Sequence, residues 1–496
     1  MRRRLQFALL GCAWCGAASA QWITAHDARP APAADRPAVR AMRFDPVFGT
    51  AVTRVTDAVA SGWTGAFPQY SKRQAWNADE SYLLLFSDFG NTWLFDGQTC
   101  QFLRDLTNVV GRDVYWHQTS PNVILYNPGN ELRRFTVGTD AGHDADASLC
   151  VFTDYAFADT GGEGQLSNDG RFYAYLGQDY NLFTFEVTPR AVVLMDLATT
   201  QEVSRLTLPV PVNAAGQVDW VSVSPLGGYV VVDYATDADA PYNGLEVYDR
   251  AFQLVWRKPL GAGHSDLGVD AAGTEFLVLD CYDADANTNR YKKFRLSDGQ
   301  ETELLAVAAD FDQHFSCRNE RERDWCLVST FDYAGRLTSG PADWLPFEDE
   351  VFLLKLDGSG AVRRLAHHHS RRYSPSTPDS DTSVYWAEPH ATISRRGDRA
   401  LWGSNWGLQV GQTESVDAYV ADFRLDLGGL QPARADGGRV LRWNSFSNRL
   451  YSVQCSTNFG AGYEAIATNL AATPPFNTYT DTAPGRAAAL YRVSQP

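Results

Sequence analysis

Three histidines with nearby acids are the residues of this sequence best suited to chemistry: His264, His314 and His390. An acid lies two residues away in each case: Asp266, Asp312 and Glu388. A neutral imidazole with a carboxylate behind it is a common ligand for a divalent metal ion, and the same pair can act as a general base. The pattern therefore predicts either a divalent metal site, for Mn or Ca, or a proton-transfer site. The alternative is a structural role, in which each imidazole holds neighbouring strands together.

A repeated pattern of short strands surrounds these histidines. Each unit has a short strand with a polar turn, then a strongly apolar strand, then a strand that ends in a DG-like turn. The apolar strands are YLLLF (82–86), NVILY (122–126), RFYAYL (171–176), GYVVVDY (228–234), TEFLVLD (274–280), WCLVST (325–330) and DRALWGS (398–404). Seven units at the roughly 40–50-residue period of four-stranded blades predict an all-β, seven-bladed β-propeller over residues 43–427. Residues 43–57 are predicted to join the last blade and close the ring.

The histidines occupy matched places in three consecutive units. In propellers the first strand of each blade lines the central channel, and its start lies on the face where ligands usually bind. His264, His314 and His390 fall at the inner strands of units five, six and seven, and Arg73 falls at the equivalent place in unit one. We therefore expect the three histidines to converge on one rim of the channel.

Both ends of the chain differ from the repeats. Arg2–Arg4, an apolar run to Ala17 and the small residues Ala18–Ala20 are typical of a secretory signal peptide over residues 1–20, which is too short to span a membrane. The sequence thus predicts a protein that is secreted, periplasmic or on the outer cell surface, with an N-terminal linker at 21–42.

The C-terminal residues have their own strand pattern. GGLQPARADGG predicts a linker at 428–438. The strands RVLRW, LYSVQCS, YEAIAT and ALYRVS then predict a small β-sandwich module at 439–496. This segment resembles a C-terminal β-module that is common in secreted bacterial proteins.

Composition narrows the choice of partners. The chain has 43 basic and 59 acidic residues and a net charge of −16, which excludes nucleic acid because phosphate binding needs a basic surface. No stretch is apolar enough to span a bilayer. The 14 Trp and 22 Tyr are what stacking on sugar rings would need, so we expect a polysaccharide or oligosaccharide as partner.

Two motifs carry a resemblance to a known group of enzymes. They are QHFSCRN (313–319) and EPHATISRRGDRALWGSNWG (388–407). In a secreted propeller with histidines at the rim, they resemble the propeller-type polysaccharide lyases, such as oligogalacturonate lyase and the propeller ulvan lyases. Those enzymes cleave uronic-acid glycosides by β-elimination. A base removes the proton next to the carboxylate, and a cation or metal neutralises that carboxylate.

The resemblance implies roles for named residues. His314 or His264 would be the base or a metal ligand, and His390 a ligand or an acid. Arg73 or Arg318 would neutralise the substrate carboxylate. The oligogalacturonate lyase metal site uses a Gln and several His, two of them close together in one motif. Here that motif holds only His390, with Glu388 as a further ligand beside it.

Two functions are consistent with these patterns. The first is a carbohydrate lyase, which the polar rim of the channel favours. The second is a non-catalytic secreted propeller that binds glycan or a protein partner at the cell envelope. The acidic net charge favours this second function, because uronate polymers are also anionic.

Overall fold

The computed structural model of the protein describes most of the chain. The described residues are 22–87, 90–209, 218–234, 242–332, 343–370, 385–407, 415–423, 433–435, 438–444, 450–456, 463–471, 473, 476–482 and 490–494. The predicted signal peptide, residues 1–20, lies outside them, as do residues 428–432 and 436–437 of the predicted linker. No described helix is long and apolar enough to cross a membrane.

Seven antiparallel sheets confirm the predicted seven-bladed propeller. Blade one contains Tyr82–Phe86, Thr92–Asp96 and Phe102–Asp105. Blade two contains Val114–Trp116, Val123–Tyr126, Glu131–Thr136 and Ala145–Val151. Blade three contains Phe157–Asp159, Phe172–Tyr180, Val187–Asp196 and Gln201–Thr207. Blade four contains Val218–Val223, Tyr229–Tyr234, Leu245–Asp249 and Leu254–Lys258. Blade five contains Ser265–Val269, Glu275–Asp283, Thr288–Arg295 and Glu301–Ala308. Blade six contains Phe311–Ser316, Trp325–Asp332, Glu350–Lys355 and Val362–His367.

Blade seven is built from both ends of the propeller. Its strands are Thr392–Ile393, Arg399–Ser404, Asp417–Asp422, Ala51–Arg54 and Met42–Phe44, in that order across the sheet. Ala51 pairs with Asp422 and Arg54 with Tyr419, so the N-terminal strand closes the ring as the sequence predicts. The helix Ala58–Ser61 follows this strand and ends at Gly62.

The apolar second strands form the core between neighbouring blades. Ala174 and Leu176 of blade three pack with Val230 and Val232 of blade four in one buried cluster. Because alternate residues of a strand face opposite sides of its sheet, each blade can present an apolar face to both neighbours. This packing fixes the inner strands, and hence the side chains that line the channel.

Residues 23–36 pack on the propeller. Ile23 forms a β-bridge with Arg364, and the Trp406 indole N–H donates to the Ala34 carbonyl at 3.0 Å. The compact unit extends over Ile23–Phe423, so this segment, interpreted from sequence as a linker, contributes contacts to blades six and seven.

The C-terminal unit contains two three-stranded antiparallel sheets. One has Ala433–Ala435, Gly438–Asn444 and Phe476–Asp481, and the other has Glu464–Ala471, Leu450–Ser456 and Leu490–Ser494. Its buried cluster contains Leu441, Trp443, Tyr451, Val453 and Val493.

Candidate active site

The three predicted histidines lie side by side in the propeller. The ring centroids of His264 and His314 are 4.6 Å apart, and those of His314 and His390 are 4.3 Å apart. Each side chain comes from a different blade: His264 precedes the inner strand of blade five, His314 lies within that of blade six, and His390 precedes that of blade seven.

His264 is the most exposed member of this cluster. Its side chain is 34% exposed, and its Nδ1 lies 2.7 Å from Asp312 Oδ1 of blade six. The pairing thus crosses between blades, whereas Asp266, its neighbour in sequence, turns away and accepts from the Cys317 N–H. Burial opposes the charged imidazole, but the hydrogen bond and charge of Asp312 outweigh it and raise the pKa of His264 to about 9.

His314 is fully enclosed at the centre of the cluster. It is 1% exposed, and neither ring nitrogen has a hydrogen-bond partner among the described residues. Burial, followed by the charges of His390, His264 and Lys72, holds the pKa of His314 well below its usual range. The ring is therefore neutral. Buried polar atoms without partners are costly in a folded protein, so this residue needs an explanation beyond packing.

The backbone fixes the orientation of His390. Its φ of 40° lies in the left-handed region, which non-glycine residues rarely adopt and which is often found at functional sites. Its Nδ1 donates to the Glu388 carbonyl at 2.9 Å, which leaves the lone pair on Nε2. That Nε2 lies 3.9 Å from Glu388 Oε2. Burial lowers the pKa of His390 to about 4, so this ring is also neutral near pH 7.

These residues fit a divalent metal ion. One ligand atom each from His314, Glu388 and His390 lies within 4.8 Å of the other two. All three residues are buried, and the unpartnered nitrogens of His314 and His390 supply lone pairs that nothing else among the described residues uses. Two imidazoles and one carboxylate suit Mn or a similar transition metal better than Ca, which prefers oxygen ligands alone.

The two predicted arginines lie away from the histidine cluster. Arg73 donates to Asp113 Oδ1 at 2.5 Å and to the Gly162 carbonyl at 3.1 Å, and it is 3% exposed. Arg318 lies 3.5 Å from Asp266 Oδ1 and is 8% exposed. Both cations are used in buried ion pairs between blades, so their geometry suits a structural role.

Two tyrosines that the sequence pattern did not indicate border the cluster. The Tyr70 ring lies 5.4 Å from His314 and 5.2 Å from His390, and the Tyr385 ring lies 4.9 Å from His390. Tyr70 comes three residues before Arg73, and Tyr385 three residues before Glu388. The only signal in the sequence was the position of both tyrosines just before inner strands.

A buried cation beside the cluster was also missed. Lys72 Nζ donates to Glu163 Oε2 at 2.5 Å and lies 4.2 Å from the ring centroid of Trp220. This lysine is 2% exposed. Its charge is satisfied by Glu163, which makes it a fixed part of the channel wall.

A cleft opens next to the histidines. It has a volume of about 560 Å³, within the roughly 300–1,000 Å³ range of small-molecule sites. Tyr70 and Tyr385 line it and also contact the cluster, so the cleft and the histidines share two neighbours, although none of the three histidines lines the cleft itself. Trp386 lines it too, stacked on Phe67 with ring centroids 4.7 Å apart.

The comparisons with known proteins show a similarity of fold between this chain and solved structures. No protein-family model matches the sequence, and no curated protein matches it. Among solved structures, an oligogalacturonate lyase from Vibrio parahaemolyticus is similar, with a TM-score of 0.53 and 13% identity over 77% of this chain and 96% of that chain. An oligogalacturonate lyase in complex with manganese is similar with a TM-score of 0.51 and 14% identity, over 77% of this chain and 95% of that chain. This chain therefore shares the propeller fold of the oligogalacturonate lyases.

Proposed function

We propose that this protein is a carbohydrate-active propeller that cleaves uronate-containing glycans by β-elimination. The observation that carries this proposal is the convergence of His264, His314, His390 and Glu388 beside an aromatic cleft. A merely structural role for the histidines would pair their ring nitrogens with neighbouring strands. Instead, both nitrogens of His314 lack such partners among the described residues.

Manganese is the proposed cofactor. His314, Glu388 and His390 would hold it, and a solved structure of similar fold is a manganese complex. A bound divalent cation supplies positive charge that stabilises a substrate carboxylate as negative charge develops on it. The proposed ligand set differs from the one that the resemblance implies, because a glutamate takes the place of a second histidine.

His264 is the residue placed to move the proton. It is more exposed than the other two histidines, and Asp312 fixes its ring through Nδ1. Because the pKa of His264 is about 9, most of the ring is charged near pH 7, and the neutral fraction, which grows as the pH rises toward 9, is the form whose Nε2 can remove a proton. In β-elimination the carbon next to the carboxylate loses its proton. The electrons of that C–H bond form a carbon–carbon double bond, and the glycosidic C–O bond breaks. The His264 imidazole holds the proton that the carbon lost and passes it to the released oxygen.

Product chemistry tests this proposal. Manganese-loaded protein is incubated with a panel of uronate polysaccharides, and the absorbance of the unsaturated product is followed. We expect a rise in absorbance on at least one member of the panel, and its loss on removal of the metal with a chelator. New reducing ends without absorbance would indicate hydrolysis and contradict elimination.

A second candidate function follows from the acidic net charge of −16, which opposes the approach of a polyanion. In that case the propeller binds glycan or an envelope protein without cleaving anything. Binding of a glycan with no new chain ends over prolonged incubation would support this function and contradict the lyase proposal.

We also propose that the protein acts outside the cytoplasm. The basic, apolar and small-residue pattern of residues 1–20 supports export. N-terminal sequencing of the exported protein should begin at Gln21, and an intact N-terminus on all of the cellular protein would contradict export.

A further inference from the structure

We propose that Arg112 binds an acidic group of the glycan in the cleft, and that it makes the cleft selective for uronates over neutral sugars. The ligand class in this inference rests on the proposed function. The role of Arg112 rests on the cleft itself, where it is a lining residue and is exposed.

Arg112 is an exposed cation that lines the cleft and has unused donors, whereas Lys72 and Arg73 are buried. Lys72 is bound to Glu163, and Arg73 is bound to Asp113. Among the described residues Arg112 has no ion pair, and one of its five N–H donors goes to the Gly161 carbonyl at 2.7 Å. The remaining donors of the guanidinium can bind a carboxylate through two hydrogen bonds, a geometry that arginine favours.

The turn that anchors Arg112 has little freedom. Gly161 has a φ of 80°, and a Cβ there would lie 2.0 Å from the Asp219 carbonyl oxygen, so the position requires glycine. On the other side, Gln69 Nε2 donates to the Arg112 carbonyl at 2.8 Å. Both the backbone and one guanidinium nitrogen are thus held in place, which limits the entropy lost when an anion binds.

Aromatic side chains on the same cleft complete a sugar site. Tyr385 is 37% exposed and packs against Trp386 with the ring planes 81° apart. Trp386 in turn rests on the buried Phe67 ring. Aromatic rings and a guanidinium with unused donors on the walls of one cleft match a uronic acid, which has an apolar ring face and one carboxylate.

The acid in the cleft does not oppose this role. Glu163 lines the same cleft, but its carboxylate accepts from Lys72 at 2.5 Å. The two charges compensate each other, so Arg112 leaves the cleft with a net positive charge. This local charge would let an acidic protein bind an acidic glycan.

Binding measurements on matched ligands test the inference. Each uronate oligosaccharide of the panel is compared with its carboxyl-reduced form, which is the same sugar without the charge. Titration calorimetry is done in a His264→Ala background, so that no ligand is consumed. Arg112→Gln is compared with Arg190→Gln, an exposed arginine of blade three outside the lining of the cleft.

We expect Arg112→Gln to weaken binding of at least one acidic oligosaccharide roughly 10–100-fold, and to leave its reduced form unaffected. Arg190→Gln should bind like the background protein. The inference is overturned if the two variants bind acidic oligosaccharides equally, if the reduced forms lose as much affinity, or if no acidic oligosaccharide binds at all.

The effect of Arg112→Gln on binding can be distinguished from the outcome of the lyase assay. Binding that depends on Arg112 without any unsaturated product would refute the proposed elimination and leave this inference standing. Elimination whose KM is unchanged in Arg112→Gln would refute this inference and leave the proposed function standing.

Discussion

His390 combines strain, orientation and an available lone pair in one residue. A positive φ costs on the order of 1–3 kcal/mol in a non-glycine residue, so the surrounding structure must hold it. Here the Nδ1 hydrogen bond to the Glu388 carbonyl turns Nε2 toward His314 and the Glu388 carboxylate. That arrangement leaves the Nε2 lone pair of His390 available to bind a metal ion together with His314 and Glu388.

Metal content is the first property that should follow from this geometry. Loss of a residue that only supports a metal ligand weakens metal binding roughly 10–100-fold. We expect His390→Ala and Glu388→Gln, which remove ligands themselves, each to weaken manganese binding at least as much. His143→Ala, at an exposed histidine outside the cluster, is the control. Elemental analysis of the purified variants measures the loss. Equal manganese in all three variants would contradict the assignment of these ligands.

A buried acid in the second strand of blade four gives a pH-dependent prediction. Burial raises the pKa of Asp233 to about 7, although Lys72 partly opposes the shift. The folded protein thus binds this proton more tightly than the unfolded chain, whose Asp pKa is ~3.9. The stability from this group is fully present below pH 4 and is lost as the pH rises through 7.

Asp233→Asn should remove this dependence. An amide oxygen can still accept from the Ala262 N–H, which lies 3.1 Å from both carboxylate oxygens. At pH 8 we expect the free energy of unfolding of the variant to exceed that of wild type by up to about 4 kcal/mol, and at pH 4 we expect the two values to be similar. Urea denaturation at both pH values measures this difference. A variant that is less stable than wild type at pH 8 would contradict the shifted pKa.

At the scale of elements, Asp417 holds the two ends of the propeller together. It is fully buried, and it accepts from Arg54 Nε at 3.2 Å, from Thr56 Oγ1 at 3.0 Å and from the Ala58 N–H at 2.8 Å. It also forms an ion pair with Arg36. The last blade therefore joins the N-terminal segment through one carboxylate as well as through strand pairing.

Removal of this carboxylate should loosen the ring. Asp417→Ala takes a buried carboxylate from both Arg54 and Arg36, and Arg54 keeps only its pair with Asp57, so we expect the free energy of unfolding to fall by about 3–5 kcal/mol. Asp357→Ala, at the exposed pair with Lys355, is the matched control and should change stability far less. Urea denaturation measures both. Similar losses for the two variants would show that Asp417 is not a closure residue.

The elements were more predictable than the side chains on them. Runs such as YLLLF and GYVVVDY are apolar because both faces of a middle strand are covered by neighbouring blades, so the seven units could be counted from sequence. Inner strands are short and irregular, and a shift of one residue turns a side chain to the opposite face. For this reason Arg73 could be placed on an inner strand, while its buried pair with Asp113 could not be foreseen.

The candidate site was predictable only in part for a related reason. The three histidines could be grouped because they recur at matched places in consecutive units. Asp312 as partner of His264, and Tyr70 and Tyr385 as neighbours of His390, depend on contacts between blades. Arg112 was missed because it is a loop residue that precedes the inner strand of blade two, outside the aligned units.

At the scale of the whole molecule, the propeller has its own core and its own candidate site. Residues 23–423 form one compact unit, and every residue assigned to the metal site or the cleft belongs to it. We expect a chain that ends at residue 423 to unfold in one cooperative transition and to bind manganese as tightly as the longer chain. Calorimetry measures both properties. Aggregation of the shorter chain, or loss of its metal, would show that residues 424–496 are needed for the fold of the propeller.

The histidine cluster is proposed to be a reaction centre that works by elimination. The most direct measurement is the initial rate of unsaturated product formation by His264→Ala relative to wild type, with both proteins manganese-loaded and with matched melting temperatures. His264 is proposed to move the proton and not to hold the metal. We therefore predict a rate at least ~100-fold lower, with unchanged manganese content. A variant that keeps the wild-type rate would contradict the role of His264, and a wild-type protein that forms no unsaturated product from any uronate glycan would contradict elimination.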